Sequence, residues 1–502
     1  MVTEHSHFIA GKRVAGTSGR FLDVYDPSIG EVQGKTPLAA RAEVEAAVSD
    51  AKRAFPEWAA TSAVRRARVM FRFLELATAA KDDLARMLSS EHGKVFEDAK
   101  GDVQRGLEVI EFACGIPHFL KGEYSNAVAA GIDVYSMKKP LGVVACITPF
   151  NFPAMIPMWM FGIAIACGNT VILKPSEKDP SVPLRLAELM LEAGAPPGVL
   201  NVVNGDKEAV DTLLEHPDIK AVSFVGSTAI AQYVYAKGAA HGKRVQAMGG
   251  AKNHMVILPD ADLDLVVDSL IGSAFGSAGE RCMANPVAVP VGDKLADAIV
   301  ERLLPRIGAL KIGPSLDPEM EMGPLVTAAH RDKVKGYIDM GVAEGAKLLA
   351  DGRDYRCTAQ GYEKGFYLGA SLFDHVKPEM QSYQDEIFGP VLQIVRAGSF
   401  EEAMSLPSLH RYGNGTSIFT RDGDAARDYA DRVEVGMVGI NVPIPVPVAF
   451  HTFGGWKESA FGDTNQHGTA GVHFFTKTKT VTSRWPTGIR AGADFFIPTL
   501  NG

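Results

Sequence analysis

The spacing of apolar and polar residues changes several times along the chain, and each change marks a boundary. HFIAGKRVAG and FLDVYDPSIGEV alternate around turn residues, which predicts short hairpin strands near the N-terminus. From Arg41 to about Phe119 the period becomes helical. In VRRARVMFRFLELATAA apolar residues recur at three and four, with arginines on the other face. GEYSNAVAAGIDVYSMKKPLG loses that period, and IDVYSM alternates like an exposed strand. A two-stranded flap reaching away from the body is expected there.

Strand and helix patterns then take turns. GVVACITPF, TVILKPSE, VLNVVNGD and IKAVSFVGS read as strands. PAMIPMWMFGIAIACG, SVPLRLAELMLEAG, DKEAVDTLLEHP and STAIAQYVYAKGAAHG read as the helices between them. This alternation predicts an α/β fold, a parallel sheet covered by helices on both faces. After Gly249 a second series begins. HMVILPDADLD leads from strand to helix, FGSAGERCMA follows that helix, and ADAIVERLLPRIGAL is helical. EIFGPVLQIVRA, GTSIFT, MVGINV and TVTSRW add strands. A chain of 502 residues is too long for one simple core, so two or more domains are expected.

Pro140 to Leu173 carries no charged residue and is long enough on paper to span a membrane. Pro149, Pro153, Pro157 and several Gly and Asn residues interrupt it, so strand, turn, short helix and strand fit better. A net charge of −8 disfavours general nucleic-acid binding. The five cysteines, Cys114, Cys146, Cys167, Cys282 and Cys357, lie far apart with no ligand spacing, which argues against zinc. Their odd number and a start without an apolar signal core point to a reducing compartment, the cytoplasm.

Cys282 follows a run of small residues, Gly272 to Gly279, and stands next to Arg281. It reads as a nucleophilic thiol near a positive charge, or as an ordinary buried cysteine. ITPFNFP puts Phe150 and Asn151 at the end of a buried strand, where an Asn amide can serve an oxyanion or simply form a turn. KPSE sets Lys174 and Glu177 three residues apart, a spacing able to grip two ribose hydroxyls; a carboxylate there repels a 2′-phosphate and favours NAD over NADP. Ser227 of FVGS opens a helix whose N-terminal dipole can receive phosphate. No GxGxxG fingerprint accompanies it.

PFNFP, KPSE, FVGS, GGAKNH, GERCMA, EIFGP and FGGWKES, in this order, resemble the aldehyde dehydrogenase superfamily over almost the whole chain. The resemblance implies a Rossmann-like NAD domain (1–121 and 142–248), a catalytic domain (249–465) and an oligomerisation region (122–141 and 466–502). It implies Cys282 as nucleophile, with the Asn151 amide and the Cys282 N–H as oxyanion donors. Phe150, Lys174, Glu177, Ser227, Glu386 and Phe388 would then hold the cofactor, with no metal. A homotetramer or dimer is implied.

One departure matters. Hydrolytic members of the family carry a Glu immediately before the hydrophobic-Gly-Gly motif, whereas RVQAMGGAKNH has Ala247 there, and a methyl group takes no proton. Together with GGAKNH, GERCMA and VQRGLEVIEFACGIP this resembles the CoA-acylating methylmalonate-semialdehyde dehydrogenase branch. That resemblance implies oxidation of methylmalonate or malonate semialdehyde, loss of the free carboxylate, and acyl transfer to coenzyme A. Arg105 and Arg281 would clamp the substrate carboxylate, a pairing suited to the planar guanidinium fork. Arg281 could also activate the thiol, by at most ~2 pKa units at ~5 Å and an effective dielectric near 20. Two other readings compete: a CoA-independent dehydrogenase of a neutral aldehyde, and a non-catalytic scaffold on the same fold.

Overall fold

A computed structural model describes residues 2–485. Two large helix-covered sheets dominate the described residues, with two three-stranded sheets and one two-stranded sheet beside them. The first sheet runs Ala460–Phe461, Arg244–Met248, Ile219–Val225, Val143–Ile147, Thr170–Lys174, Leu200–Val202, His7–Ile9 and Lys12–Val14. The five strands from Arg244–Met248 to Leu200–Val202 are mutually parallel, and the flanking strands join antiparallel. Val143–Ile147 and Thr170–Lys174 are buried throughout, as continuous apolar runs in a covered parallel sheet must be.

The uncharged stretch becomes strand, helix and strand. Every residue of its helix Met155–Ala166 is buried. Pro157 lies in the first turn of that helix, where its missing N–H costs no intrahelical bond. Among the described residues no helix is long and apolar enough to cross a membrane.

The second sheet, from Lys347–Ala350 to Met437–Ile440, has His254–Ile257 between Val287–Pro290 and Gly415–Phe419. All its strands but Lys347–Ala350 pair in parallel. The sheets fall on either side of Gly249, but Ala460–Phe461 crosses back to pair with Arg244–Met248. The flap forms as expected from Tyr124–Ala129 and Ile132–Pro140, and Thr476–Arg484 adds a third antiparallel strand to it. The end of the expected oligomerisation region, 486–502, lies outside the described residues.

In the first sheet the chain order reverses between Val143–Ile147 and Ile219–Val225. Such a switch point leaves a crevice beyond the carboxyl ends of the strands. Loops preceding strands of the second sheet, at Asn253, Asn414 and Glu386, come to the same place.

Candidate active site

Two clefts meet at Cys282. A cavity of about 620 Å³ lies over the switch point, with Phe150, Lys174, Glu177, Lys178 and Ser227 in its walls. A narrower one of about 210 Å³ continues past Phe150 and Ser227 to Asn151, Cys282, Glu386 and Phe388. A third cavity, about 350 Å³, also reaches Cys282; Arg105, Arg281 and apolar side chains such as Trp159, Ile444 and Phe453 line it. The fold thus brings all the site residues expected from the sequence to one connected region.

The loop that carries Cys282 is built from small residues for two different reasons. Ser277 and Ala278 take left-handed backbone angles, φ 53° and 51°. Gly276 has an ordinary φ, but a Cβ there would stand 2.5 Å from Nη1 of Arg281. Its hydrogen is what lets the guanidinium pass. Asn253 and Asn414 pin the loop, each donating its side-chain amide to the Cys282 carbonyl, at 3.0 and 3.1 Å.

Burial pushes the Cys282 thiol up to about 12, and the nearby Glu386 carboxylate adds to the rise. The N–H groups of Cys282 and Met283 and the Lys94 ammonium favour the thiolate but do not prevail. Arg281 is occupied elsewhere. Its Nη2 donates to Oδ1 of Asp98 at 2.6 Å and its Nη1 to the Gly272 carbonyl at 3.3 Å. Arg281 is therefore not among the groups that shift the thiol: Asp98 neutralises its charge, and Glu386 and Lys94 are the side-chain charges that bear on the sulfur.

Asn151 is buried. Its amide donates to the Glu280 carbonyl at 3.2 Å, and its own carbonyl accepts from Lys94 Nζ at 2.6 Å. Arg105 donates to Glu108 at 2.7 Å and to the carbonyls of Val446 and Pro447 at 3.3 and 2.9 Å. At the cofactor-side cleft, Lys174 Nζ stands 3.0 Å from Oε2 of Glu177. Burial works against the charged form, yet Lys174 holds the Glu177 carboxyl below its ordinary range. Ser227 is the N-cap residue of helix Thr228–Ala240, but its side chain makes no capping bond. Glu386 Oε1 accepts from the Ala251 N–H at 2.8 Å, and burial raises this carboxyl to about 7. A Cβ on Gly250 would lie 2.5 Å from Oε2 of Glu386, so the Gly-Gly pair makes room for that carboxylate. Phe388, at φ 58°, sets its ring edge-on to Phe150 with centroids 6.0 Å apart.

Ala247 is fully buried and packs in the core with Phe224, Val245 and Phe461. Gln246 is buried too, 3.2 Å from the Ser223 hydroxyl.

Sequence reasoning missed a buried charged set behind the site. Lys94 and Asp102 are both inaccessible and 3.5 Å apart. Oδ1 of Asp102 accepts from the Met155 N–H at 2.7 Å, so it caps the helix that follows the Asn151 loop. Glu280 is buried between His330 at 3.5 Å and His92 at 3.9 Å, and burial pushes it up to about 8. A signal did exist: in HGKVFEDAKGDVQRG the spacing of Asp98, Asp102 and Arg105, four then three, places all three on one helix face.

A partly buried thiol at the meeting point of a switch-point cleft and an arginine-bearing cavity is the arrangement of a class, enzymes in which a cysteine works beside a dinucleotide. The aldehyde dehydrogenase family model matches residues 14–481, and the chain belongs to that family. It is 57% identical over 98% of its length to the malonate-semialdehyde dehydrogenase of Pseudomonas aeruginosa, covering 99% of that protein. It is 50% identical to malonate-semialdehyde dehydrogenase 3 of Geobacillus kaustophilus, over 95% of this chain and 98% of that one. The structure of methylmalonate-semialdehyde dehydrogenase from Oceanimonas doudoroffii superposes with a TM-score of 0.95 at 54% identity, over 98% of this chain and all (100%) of that one. A Sinorhizobium meliloti 1021 protein described by the same name and solved with NAD gives 0.96 at 60% identity, over 98% and 100% of the two chains.

Proposed function

We propose that this oxidoreductase converts malonate semialdehyde or methylmalonate semialdehyde, with NAD+ and coenzyme A, to acetyl-CoA or propionyl-CoA, NADH and carbon dioxide or bicarbonate. The observation that carries the reading is the cavity in which Arg105, Arg281 and Cys282 stand together. The names of its relatives point to the same substrates. As a member of its family it is an NAD-dependent aldehyde dehydrogenase.

The cofactor-side residues fit a dinucleotide. The Lys174–Glu177 pair offers a donor and a carboxylate to a ribose diol, and the start of helix Thr228–Ala240 borders the same cleft. Phe150 and Phe388 flank the way to Cys282, and Glu386 is the carboxylate there for the second ribose. Bound NAD+ supplies the hydride acceptor.

The chain's own residues do the rest. Arg105 and Arg281 orient the substrate carboxylate, and with it the aldehyde carbon toward Cys282. The Cys282 thiol gives its proton to water as the sulfur attacks that carbon. The Asn151 amide and the Cys282 N–H stabilise the oxyanion of the thiohemiacetal. Hydride loss leaves a thioester on Cys282, and the same donors steady the enolate formed when carbon dioxide departs. Ala247 brings no base to activate water, and coenzyme A is a thiol with an ordinary pKa near ~8.5 that needs less help.

The halves divide this work, 1–121 with 142–248 binding NAD and 249–465 carrying the thiol. The flap sheet joins subunits into a homotetramer or dimer. Its strand Tyr124–Ala129 is mostly exposed, which leaves an edge for pairing. The five cysteines are free thiols, which suits the cytoplasm.

The test is NADH formation from malonate semialdehyde with and without coenzyme A, with products identified by mass. Sustained turnover and acetyl-CoA are expected only with coenzyme A. Equal steady rates without it, and no acyl-CoA, would overturn the reading.

A further inference from the structure

Both arginines of the substrate cavity already hold a carboxylate of this chain. Arg281 pairs with Asp98 at 2.6 Å, and Arg105 pairs with Glu108 at 2.7 Å. Asp98 lies on the cavity wall, and its second oxygen, Oδ2, is buried without a hydrogen-bond partner. Between Asp98 and Arg105 on the same helix face comes Gly101, which also lines the cavity, and nothing lies within 4 Å of where its Cβ would be. The wall thus has an open gap between a carboxylate and a guanidinium. Lys94 and Asp102 are the other charged groups packed against Asp98, and they are paired with each other.

Cations already paired with a carboxylate hold an incoming anion less tightly than free ones would. A substrate that must lose its carboxylate sets a different requirement. Contacts that hold the carboxylate in the ground state are lost as carbon dioxide forms, so each one raises the barrier to that step. In the acyl-enzyme the bond between the carboxylate carbon and the α-carbon breaks. Its electron pair moves into the thioester as an enolate, carbon dioxide leaves, and the α-carbon then takes a proton from water. The negative charge travels from the arginines toward Asn151 and the Cys282 N–H. A carboxylate already bound to Arg281 weakens the hold on the departing group without removing the guanidinium that orients it.

We propose that Asp98 is a positioning and specificity-determining residue that sets how tightly Arg281 grips the substrate carboxylate, trading substrate affinity for release of carbon dioxide. The inference rests on the function proposed above.

Asp98→Asn keeps the shape and an acceptor for Arg281 but removes the charge. The KM for malonate semialdehyde, relative to that for propanal, should fall about fivefold, the scale of one ion-pair contact at a partly exposed site. Carbon dioxide release in a single turnover, after the NADH burst, should slow by a similar factor. The melting temperature, checked alongside, separates these effects from loss of fold. If only a structural role existed, KM would rise and carbon dioxide release would keep pace with the burst; that result, or no change in either quantity, overturns the inference. If wild-type enzyme releases no carbon dioxide from malonate semialdehyde at all, the proposed function itself fails, whatever Asp98→Asn does.

Discussion

Replacing Arg281 by Leu separates its two possible duties. In the free protein the guanidinium is bound to Asp98, and the side-chain charges acting on the Cys282 sulfur are Glu386 and Lys94. Neither Arg281 nor Asp98 is among the groups that shift the thiol, so losing the guanidinium changes the field there little. Iodoacetamide alkylation, which follows the thiolate fraction, should change less than about twofold. The substrate carboxylate loses a charge-assisted hydrogen bond worth about 1.5–3 kcal/mol. That converts to roughly 10- to 150-fold in kcat/KM for malonate semialdehyde. Asp98 is also left as an unpaired carboxylate facing an anionic substrate, so the loss should reach the upper end of that range. Arg281→Leu combined with Asp98→Asn should recover part of it, a coupling that a double-mutant cycle measures directly. Propanal, which has no carboxylate, should suffer far less. The reasoning is refuted if alkylation falls by the same factor as kcat/KM, or if the double variant is no better than Arg281→Leu alone.

Three further outcomes are expected. Burial raises the Glu280 carboxyl to about 8, against 4.5 ordinarily, so the folded chain holds a proton that the unfolded chain releases. Its stabilising contribution is full below pH 4.5 and is lost as pH rises toward 8, so Glu280→Gln should melt no higher than wild type at pH 5 and clearly higher at pH 9; parallel melting curves across pH would contradict this. Glu386 titrates near 7, and a carboxylate accepts ribose hydroxyls better than its acid form, so NAD+ affinity measured by fluorescence should weaken from pH 8 to pH 6. Glu386→Gln should bind more weakly and lose that pH dependence. Lys94→Met strands Asp102 and frees the Asn151 carbonyl, which should cost about 3–5 kcal/mol of stability and slow the NADH burst. Adding Asp102→Asn should restore much of the melting temperature but not the burst.

The order of strands and helices, the flap, and the strand-end positions of Asn151, Lys174 and Ser227 were legible in the sequence. Each rests on local spacing: two residues per strand repeat, 3.6 per helical turn, and glycine or proline at the breaks. Helix Ala328–Ala343 escaped that reading because only Val334, Ile338 and Gly341 are buried along it, too sparse a stripe to stand out. The proposed nucleophile and its neighbours were singled out through the motifs and their order, and Ala247 through the residue missing at its place.

The sequence could not say what each charge is paired with. Asp98 and Arg281 are 183 positions apart, and Glu386 reaches Ala251 across 135. A hydrophobic pattern fixes which face of an element turns inward. Partners across elements depend on how those faces then pack, and a change of an ångström or two decides whether a cation serves the sulfur, the substrate or an aspartate. By itself the sequence determined the kind of sheet, the loop bearing Cys282 and the residue types around it. Only the tertiary structure decided that burial raises the thiol, that burial raises the Glu280 and Glu386 carboxyls toward neutral pH, and that Arg281 is already bound to Asp98.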